Sequence, residues 1–391
     1  MFSSRLPASL APNALTEALR DLRASGEPLI DLTETNPTAV GLEYGAELLA
    51  PLADARGRHY EPAPLGLLGA REAVAADYLR RGRRVPADRV VITASTSEAY
   101  SLLFKLLCDP GDVVLVPQPS YPLFDLLSRL DGVETRPYRL AEHEHWAIDR
   151  DALVGQLDGR VRAVLVVSPN NPTGSILRAD DRDWLAGECA RRGLALIVDE
   201  VFADYPLSGA ADAAAITGDE PALTFALGGL SKSAGLPQVK LGWMAVGGPD
   251  AVVAESLARL DVICDTYLSV STPVQLAAAA LIDAGARPRA AIQARIARNL
   301  AALRETLRTA PALSLREPDA GWSAVVQVPA VESEESLVLR LVTQSRVLVH
   351  PGYFFDFARE AFLVMSLLPA PHVFDEGLAR VVAAAGGARR S

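Results

Sequence analysis

Polar side chains that could take part in chemistry follow five short apolar runs of this 391-residue sequence. They comprise small hydroxyls, an aromatic ring, an amide, a carboxylate and a lysine, found at Ser95, Thr96, Ser97, Tyr121, Asn171, Asp199 and Lys232. Ligands of open α/β sheets bind beyond the carboxyl ends of the strands. If the apolar runs are strands of one such sheet, these side chains converge at one edge. The sequence therefore predicts a binding or catalytic site at that edge.

The chemistry of these side chains suits pyridoxal phosphate. The hydroxyl-bearing residues precede a predicted helix, whose free N–H groups can hold a phosphate. A desolvated, neutral Lys232 can form a Schiff base with an aldehyde. An ionised Asp199 can keep a pyridine nitrogen protonated, which makes the ring an electron sink. Asn171 can donate a hydrogen bond to the ring's phenolate oxygen, and Tyr121 can stack on its face.

Each of these residues also has an ordinary structural explanation when it is taken alone. Asn171 belongs to an Asn-Pro-Thr-Gly sequence, which is a common turn. Asp199 or the hydroxyls at 95–97 could cap helices, Tyr121 could belong to the core, and a lysine is usually a solvated surface charge. The prediction therefore depends on their joint occurrence at successive strand ends.

The apolar runs predict an α/β fold. Runs rich in Val, Leu and Ile that show little polar alternation are typical of strands buried on both faces of a mostly parallel sheet; they lie at 90–93, 113–116, 161–167, 195–198, 223–227 and 243–246. Amphipathic stretches between them predict helices, for example at 98–107 and 181–192. The second has Asp180 and Asp181 at its start and Gly193 just after its end, which are helix start and stop signals.

The pattern changes after about residue 280. A long helical stretch at 290–308 precedes strand-like pieces at 323–328 and 362–368, with a helix candidate at 334–344 between them. We therefore expect a large cofactor-binding domain over residues 45–280 and a smaller α+β domain formed by residues 1–44 and 281–391.

Composition and charge narrow the functional classes. Half of the residues are hydrophobic, 22% are charged, and the formal net charge is −10. This charge argues against a nucleic-acid partner, and the lack of a long apolar run argues against a membrane partner. The three cysteines have neither disulfide nor metal-ligand spacing, so we expect no metal site and a cytoplasmic location. The densest basic cluster, which is typical of a solvated face, consists of Arg80, Arg81, Arg83 and Arg84.

Several motifs resemble those of the class I/II pyridoxal-phosphate-dependent aminotransferases of fold type I, over about residues 31–368. The most specific segment is LSKSAGLPQVKLG at 230–242, which looks like the family's lysine segment and contains Ser231, Lys232 and Lys240. SPNNPTG at 168–174, VDE at 198–200, PSYP at 119–122 and HY at 59–60 match further motifs. The resemblance implies a seven-stranded-type sheet sandwiched by helices. It also implies a homodimer with shared active sites, because the family's counterpart of Tyr60 reaches the neighbouring subunit's cofactor phosphate.

The sequence departs from the family pattern at four positions. Phe202 stands where a tyrosine usually donates to the ring oxygen, and Lys240 stands where arginine is usual, so a bidentate fork is lost. Gly229 replaces a common serine. Val364 aligns with the arginine that binds the substrate carboxylate. We consider three nearby cationic residues as substitutes for that arginine, namely Arg346, His350 and Arg359.

The resemblance implies an aminotransferase that moves an amino group between a small amino donor and a keto acid. A carbon–sulfur β-lyase is an alternative, because it uses the same ring and lysine but expels a leaving group after proton removal. A cofactor-binding regulator is a further alternative from another class. It would need an added DNA-binding module, and the resemblance already begins near residue 31.

Overall fold

The computed structural model describes residues 2–142, 145–207, 220–268 and 270–386. Its helices, in chain order, are α1 (Ala14–Ser25), α2 (Leu68–Arg80), α3 (Thr96–Leu107), α4 (Leu123–Leu130), α5 (Arg150–Gly155), α6 (Ala179–Arg192), α7 (Leu230–Ser233), α8 (Asp250–Tyr267), α9 (Thr272–Leu276), α10 (Ala278–Ala284), α11 (Ala286–Arg308), α12 (Glu334–Arg340) and α13 (Pro371–Ala385). A π-helical turn, Leu341–Ser345, follows α12. Among the described residues, no helix is long and apolar enough to span a membrane.

The strands are β1 (Ile30–Asp31), β2 (Val90–Thr93), β3 (Val113–Gln118), β4 (Glu134–Glu142), β5 (Trp146–Ile148), β6 (Val161–Val167), β7 (Ala195–Asp199), β8 (Thr224–Gly229), β9 (Gly242–Gly247), β10 (Ser314–Arg316), β11 (Ser323–Gln327), β12 (Val347–Leu348), β13 (His350–Pro351) and β14 (Phe362–Ser366). All six apolar runs predicted as buried strands coincide with strands of one sheet. The α/β prediction is confirmed.

This large sheet has the strand order β2-β9-β8-β7-β6-β3-β4-β5. The five central strands run parallel to one another; they are β8, β7, β6, β3 and β4. Strand β9 pairs antiparallel with β8 and β2, and strand β5 pairs antiparallel with β4. A seven-stranded sheet was expected, and the eighth strand is the short edge strand β5. The apolar pattern does not reveal β4 and β5, because they lie at the sheet edge and carry several exposed or half-buried polar residues.

Alternate residues of the central strands pack into two different cores. In β3, Val113 and Leu115 belong to the core that includes residues of α2 and α6. Val114, between them, belongs to the core that includes residues of α3 and α8. Helices therefore cover both faces, which explains the nearly continuous apolar character of the strand sequences.

A second sheet has the order β10-β11-β14-β13 and is antiparallel at each pair of strands. Its core is shared with helices α11, α12 and α13. The N-terminal strand β1 pairs with β12 and so packs beside this second unit. The predicted elements at 290–308, 323–328, 334–344 and 362–368 correspond to α11, β11, α12 with its π-helical turn, and β14. The domain boundaries at residues 44 and 280 remain a prediction.

The basic cluster after α2 differs from the expected solvated face. The side chains of Arg81 and Arg83 are each only 12% exposed. Arg83 donates to both carboxylate oxygens of buried Glu200 at 2.6 Å. Arg80 and Arg84 are exposed, as expected, whereas Arg81 and Arg83 belong to an internal ion-pair network beside β7. Sequence spacing cannot reveal this network because Glu200 is far away along the chain.

Candidate active site

A cavity of about 340 Å³ lies at the carboxyl ends of the parallel strands. Seven of the predicted site residues line it: Thr96, Ser97, Tyr121, Asn171, Asp199, Phe202 and Lys232. They come from segments after β2, β3, β6, β7 and β8. Since parallel strands end at the same sheet edge, residues separated by more than a hundred positions along the chain become neighbours.

Lys232 lies in the short helix α7, directly after β8. Its Nζ is 5.2 Å from the centre of the Trp322 ring and 5.8 Å from that of Phe202. Burial lowers the pKa of Lys232 below its usual value of 10.5, while the charges of Asp199 and Glu34 act in the opposite direction. The surroundings therefore favour the neutral amine, which is the form that can attack a carbonyl or accept a proton.

Asp199 is the last residue of β7 and is only 7% exposed. Its Oδ2 accepts a hydrogen bond of 2.6 Å from the Tyr100 hydroxyl, and its Oδ1 accepts one of 3.0 Å from the Val201 N–H. Burial raises the pKa of Asp199, and both hydrogen bonds oppose that effect. A buried carboxylate with these donors is suited to face a protonated ring nitrogen.

Asn171 and Tyr121 lie on other walls of the same cavity. Asn171 Oδ1 accepts a hydrogen bond of 3.1 Å from Ser323 Oγ. This contact orients the amide so that its donating Nδ2 points away from Ser323. The Tyr121 side chain is 44% exposed and presents its ring to the cavity. Both placements are compatible with the hydrogen-bonding and stacking roles expected from the sequence.

The N-terminus of α3 forms the end of the cavity that suits a phosphate. Ser95 is the N-cap residue, and its Oγ accepts from the Glu98 N–H at 3.1 Å. Thr96 and Ser97 follow in the first turn, where free N–H groups and the helix dipole favour an anion. The Ser95 hydroxyl thus caps helix α3. Helix capping is the structural explanation that was considered for this residue from the sequence.

Ser231 and Lys240 do not line the cavity, but both lie in the segment between β8 and β9, close in sequence to Lys232. Gly242 of β9 pairs with Thr93 of β2, and Lys240 precedes Gly242 by two residues along the chain. A Cβ at Gly242 would be 3.0 Å from Thr93 Oγ1 and from the Ser95 carbonyl carbon. Glycine is required there because the two backbones approach so closely.

Tyr60 lies outside the cavity and is 69% exposed. Its segment begins after a 3-10 helix, Ala55–Arg58, and has neither helix nor strand structure up to residue 67. Within one chain Tyr60 makes no contribution to the cavity lining. Its expected role concerns a neighbouring subunit and stays a prediction.

The position aligned with the carboxylate-binding arginine is apolar. Val364 is buried in a cluster with Val325, Phe355 and Phe362. None of the three substitutes considered from the sequence lines the cavity. Arg359 pairs with Glu142 at 2.8 Å, Arg346 pairs with Glu27, and His350 stacks on Phe354 with ring centres 4.7 Å apart.

Sequence reasoning missed several residues of the cavity, including Thr35, Tyr100, Trp322 and Ser323. A signal existed for Tyr100, because it follows Thr96 by four residues and therefore lies on the same face of α3. Ser323 begins β11 of the second sheet and Trp322 directly precedes it, and no pattern in the sequence connects that sheet with the edge of the first. Among the described residues, no cluster of His, Cys, Asp or Glu could hold a metal ion.

The donor set fits pyridoxal phosphate group by group. A helix N-terminus faces one end of the cavity, a buried carboxylate and a side-chain amide lie along its wall, and a desolvated lysine amine projects into it. The sequence model of the family described as aminotransferase class I and II matches residues 24–374. The chain belongs to this family. Its members use pyridoxal phosphate, which is therefore the cofactor of this chain as well.

Relatives of this chain have names that indicate different activities. The glutamate-pyruvate aminotransferase AlaA of Haemophilus influenzae is 26% identical over 381 residues, covering 93% of this chain and 92% of that protein. The S-alkyl-thiohydroximate lyase SUR1 of Arabidopsis thaliana is 31% identical over 245 residues, or 59% of this chain and 51% of that protein. The chain likewise spans about half the length of several other curated relatives that it matches.

Solved structures show the same fold. The alanine aminotransferase of Pyrococcus furiosus superimposes with a TM-score of 0.87 over 98% of this chain and 99% of that chain, at 24% sequence identity. At this level of identity the similarity shows the fold alone. The side-chain positions described above are those of this chain and are not taken from the relative.

Proposed function

We propose that the protein is an aminotransferase that moves an amino group between a small amino donor and a keto acid. The observation that carries this proposal is the pairing, in one cavity, of a desolvated Lys232 with a buried Asp199. Family membership supports the reaction class, and the full-length similarity to an aminotransferase adds to it.

Each residue of the cavity has a defined task in this reaction. When bound, pyridoxal phosphate supplies an aldehyde that takes up the amino group and a ring that withdraws electrons from the adjacent carbon. Lys232, whose pKa is lowered by burial, removes the proton from the carbon that bears the nitrogen and returns it on the cofactor side. Burial supports this task, because it lowers the pKa of the amine and so shifts it toward the unprotonated form.

The remaining residues bind and orient. Asp199 would hold the ring nitrogen, Asn171 would donate to the ring oxygen, and Tyr121 would pack on the ring face. The segment 95–97 would hold the phosphate. Ser231 and Lys240, which do not line the cavity, are expected to contribute to phosphate binding from the family resemblance, with the ammonium of Lys240 as a point charge in place of the usual guanidinium. Phe202 contributes apolar contact but no hydrogen bond.

A carbon–sulfur β-lyase is the second candidate, and the 31% identity to the lyase SUR1 favours it. The same Lys232 would remove the same proton, and a thiolate would then leave instead of a proton returning. The two functions differ in their need for a keto-acid acceptor. Release of pyruvate and ammonia from a thioether substrate without any acceptor would identify the lyase.

We infer in addition that the protein is a cytoplasmic homodimer with shared active sites, without nucleic-acid or membrane partners. The exposed aromatic side chain of Tyr60 supports a neighbouring subunit as its contact. The unpaired thiols of Cys108, Cys189 and Cys264 support a reducing compartment. The net charge of −10 supports the expectation about nucleic acid.

A panel of amino donors tests the proposed reaction. The holoenzyme is mixed with one donor at a time, and the visible absorbance of the cofactor is followed as it changes from the aldehyde to the amine form. We expect at least one donor to produce the change and a keto acid to reverse it. If no donor acts and a thioether gives pyruvate and ammonia, the lyase assignment replaces the proposal.

A further inference from the structure

Tyr100 makes a short hydrogen bond to Asp199, a carboxylate that lines the cavity. Its hydroxyl is 2.6 Å from Asp199 Oδ2, and the side chain is only 1% exposed. The ring packs edge-on against Phe124, with ring centres 5.3 Å apart, and lies 6.3 Å from Phe104. These contacts hold the Tyr100 ring in place, so its hydroxyl remains directed toward Asp199.

The hydroxyl of Tyr100 is the donor in this contact. Burial and the neighbouring carboxylate raise the pKa of Tyr100 well above its ordinary value, so the phenol keeps its proton at any physiological pH. The pKa of Asp199 is affected by its neighbours in both directions. Burial and the charge of Glu200 raise its pKa, while the hydrogen bonds from Tyr100 and Val201 and the charge of Lys232 lower it.

The two oxygens of Asp199 therefore have different environments. Oδ1 is held by the backbone N–H of Val201, which no side-chain substitution removes. Oδ2 is held by Tyr100 alone among the hydrogen bonds of the described residues. A carboxylate oxygen has two lone pairs and can accept a second donor, so a ring nitrogen can bind while Tyr100 stays in place.

Helix α3 connects this contact with the other end of the cavity. Thr96 and Tyr100 are four residues apart, so they lie on the same face of the helix at a rise of about 6 Å. One rigid helix thus presents its N-terminus toward the phosphate end and the Tyr100 hydroxyl toward Asp199. A shift of the helix would change both contacts together.

We propose that Tyr100 is a positioning residue that orients the Asp199 carboxylate and keeps it anionic for the ring nitrogen of the cofactor. The proposal rests on the proposed role of Asp199. Tyr100 acts through Asp199 and takes no proton from the substrate. Because the anionic carboxylate strengthens the electron-withdrawing ring, loss of the hydroxyl weakens cofactor binding and slows proton removal more than it affects donor binding.

The variant Tyr100→Phe tests this proposal, with Tyr138→Phe as a matched control. Tyr138 is equally buried and donates to the Leu165 carbonyl at 2.9 Å, away from the cavity. We expect Tyr100→Phe to raise the Kd for pyridoxal phosphate roughly tenfold and to slow the single-turnover donor reaction by a similar factor. The KM for the donor stays near its original value, and Tyr138→Phe changes none of the three quantities.

A double-substitution cycle shows whether Tyr100 acts through Asp199. In an Asp199→Asn background, Tyr100→Phe is expected to cause no further loss of cofactor affinity. Unchanged affinity and rate in Tyr100→Phe, or fully additive losses in the cycle, would overturn the proposal. If Tyr100→Phe does not fold, Tyr100→His and Tyr100→Leu are compared; the histidine variant, which keeps a donor, must bind the cofactor more tightly. Equal affinities overturn the proposal.

Failure of this inference is distinguishable from failure of the proposed function. If the unaltered protein converts no donor at all, the reaction assignment is wrong, whereas the cofactor Kd of the Tyr100 variants still measures the effect of the hydroxyl on binding. If the unaltered protein converts donors and Tyr100→Phe behaves identically, only the role of Tyr100 is wrong.

Discussion

Phe202 lies beside Lys232 in the cavity. The family resemblance of the sequence implies that a tyrosine hydroxyl usually donates to the ring oxygen from this position. With that donor missing, the deprotonated form of the lysine-linked chromophore is less stabilised. We expect its visible absorbance to titrate at higher pH than in relatives with the tyrosine. Phe202→Tyr should lower the midpoint by about one pH unit, or about 1.4 kcal/mol. Phe354→Tyr, outside the cavity, serves as the control, and an unchanged or raised midpoint in Phe202→Tyr contradicts this explanation.

Lys232 is expected to reduce the stability of the cofactor-free protein. The unfolded chain keeps the lysine proton up to pH about 10.5, but burial lowers the pKa in the folded state. The unfolded state therefore binds more protons between the two pKa values, and stability rises with pH across this window. Lys232→Met should raise the free energy of unfolding on the order of 1 kcal/mol at neutral pH. Urea unfolding at several pH values checks this, and a gain that grows toward pH 10.5 would contradict it.

At the residue scale, the sequence indicated which side chains meet but not how they are held. Asp199 and Lys232 were predictable because each follows a buried apolar run. The contact between Tyr100 and Asp199 was not, because a tyrosine in a helix is usually part of the core and no local signal specifies its hydroxyl partner. Trp322 and Ser323 were missed for a different reason, since they reach the cavity from another sheet.

At the scale of elements, the short helix α7 is fixed by side chains from other parts of the chain. Tyr205 Oη donates to the Lys232 carbonyl at 2.6 Å, and Arg289 Nε donates to the Ser233 carbonyl at 2.9 Å. Tyr44 Oη donates to the Gly235 carbonyl just beyond it, at 2.8 Å. A four-residue helix has little stability of its own. These contacts therefore hold the reactive lysine in place.

Tyr205→Phe should loosen this helix. Tyr205 is fully buried, and the lost hydrogen bond leaves a buried carbonyl without that donor, which costs about 1–2 kcal/mol. We expect a lower free energy of unfolding and a slower donor reaction. Thermal unfolding and single-turnover kinetics measure the two effects. Tyr138→Phe should lose a similar amount of stability without slowing the reaction, and an equal slowing in both variants would count against a specific role for Tyr205.

The ion pair of Arg83 and Glu200 joins the segment after α2 to the end of β7. Both side chains are largely buried, at 12% and 3% exposure. Removing one member leaves an unpaired buried charge, so Arg83→Ala should cost about 3–5 kcal/mol. The exposed pair of Arg259 and Glu255 offers a control, where Arg259→Ala should cost less than about 1 kcal/mol. Equal losses in urea unfolding would show that the buried pair is not structurally important.

For the whole molecule, hydrophobic patterning predicted the α/β class and the central strands, because strands buried on both faces have nearly continuous apolar sequences. It missed β4 and β5, whose edge position gives them mixed sequences. The ion-pair network around Glu200 was also missed, since charged residues adjacent in sequence usually face solvent. Val364, which aligns with the carboxylate-binding arginine, is buried among apolar side chains.

The central claim is that Lys232 carries the cofactor, and the composition of the chain makes this directly measurable. The sequence contains only three lysines, Lys105, Lys232 and Lys240. The purified protein is incubated with pyridoxal phosphate, reduced with borohydride and digested, and the modified peptide is identified by mass spectrometry. We predict a coloured protein with stoichiometric modification at Lys232. A colourless protein, or modification confined to Lys105 or Lys240, would contradict the account.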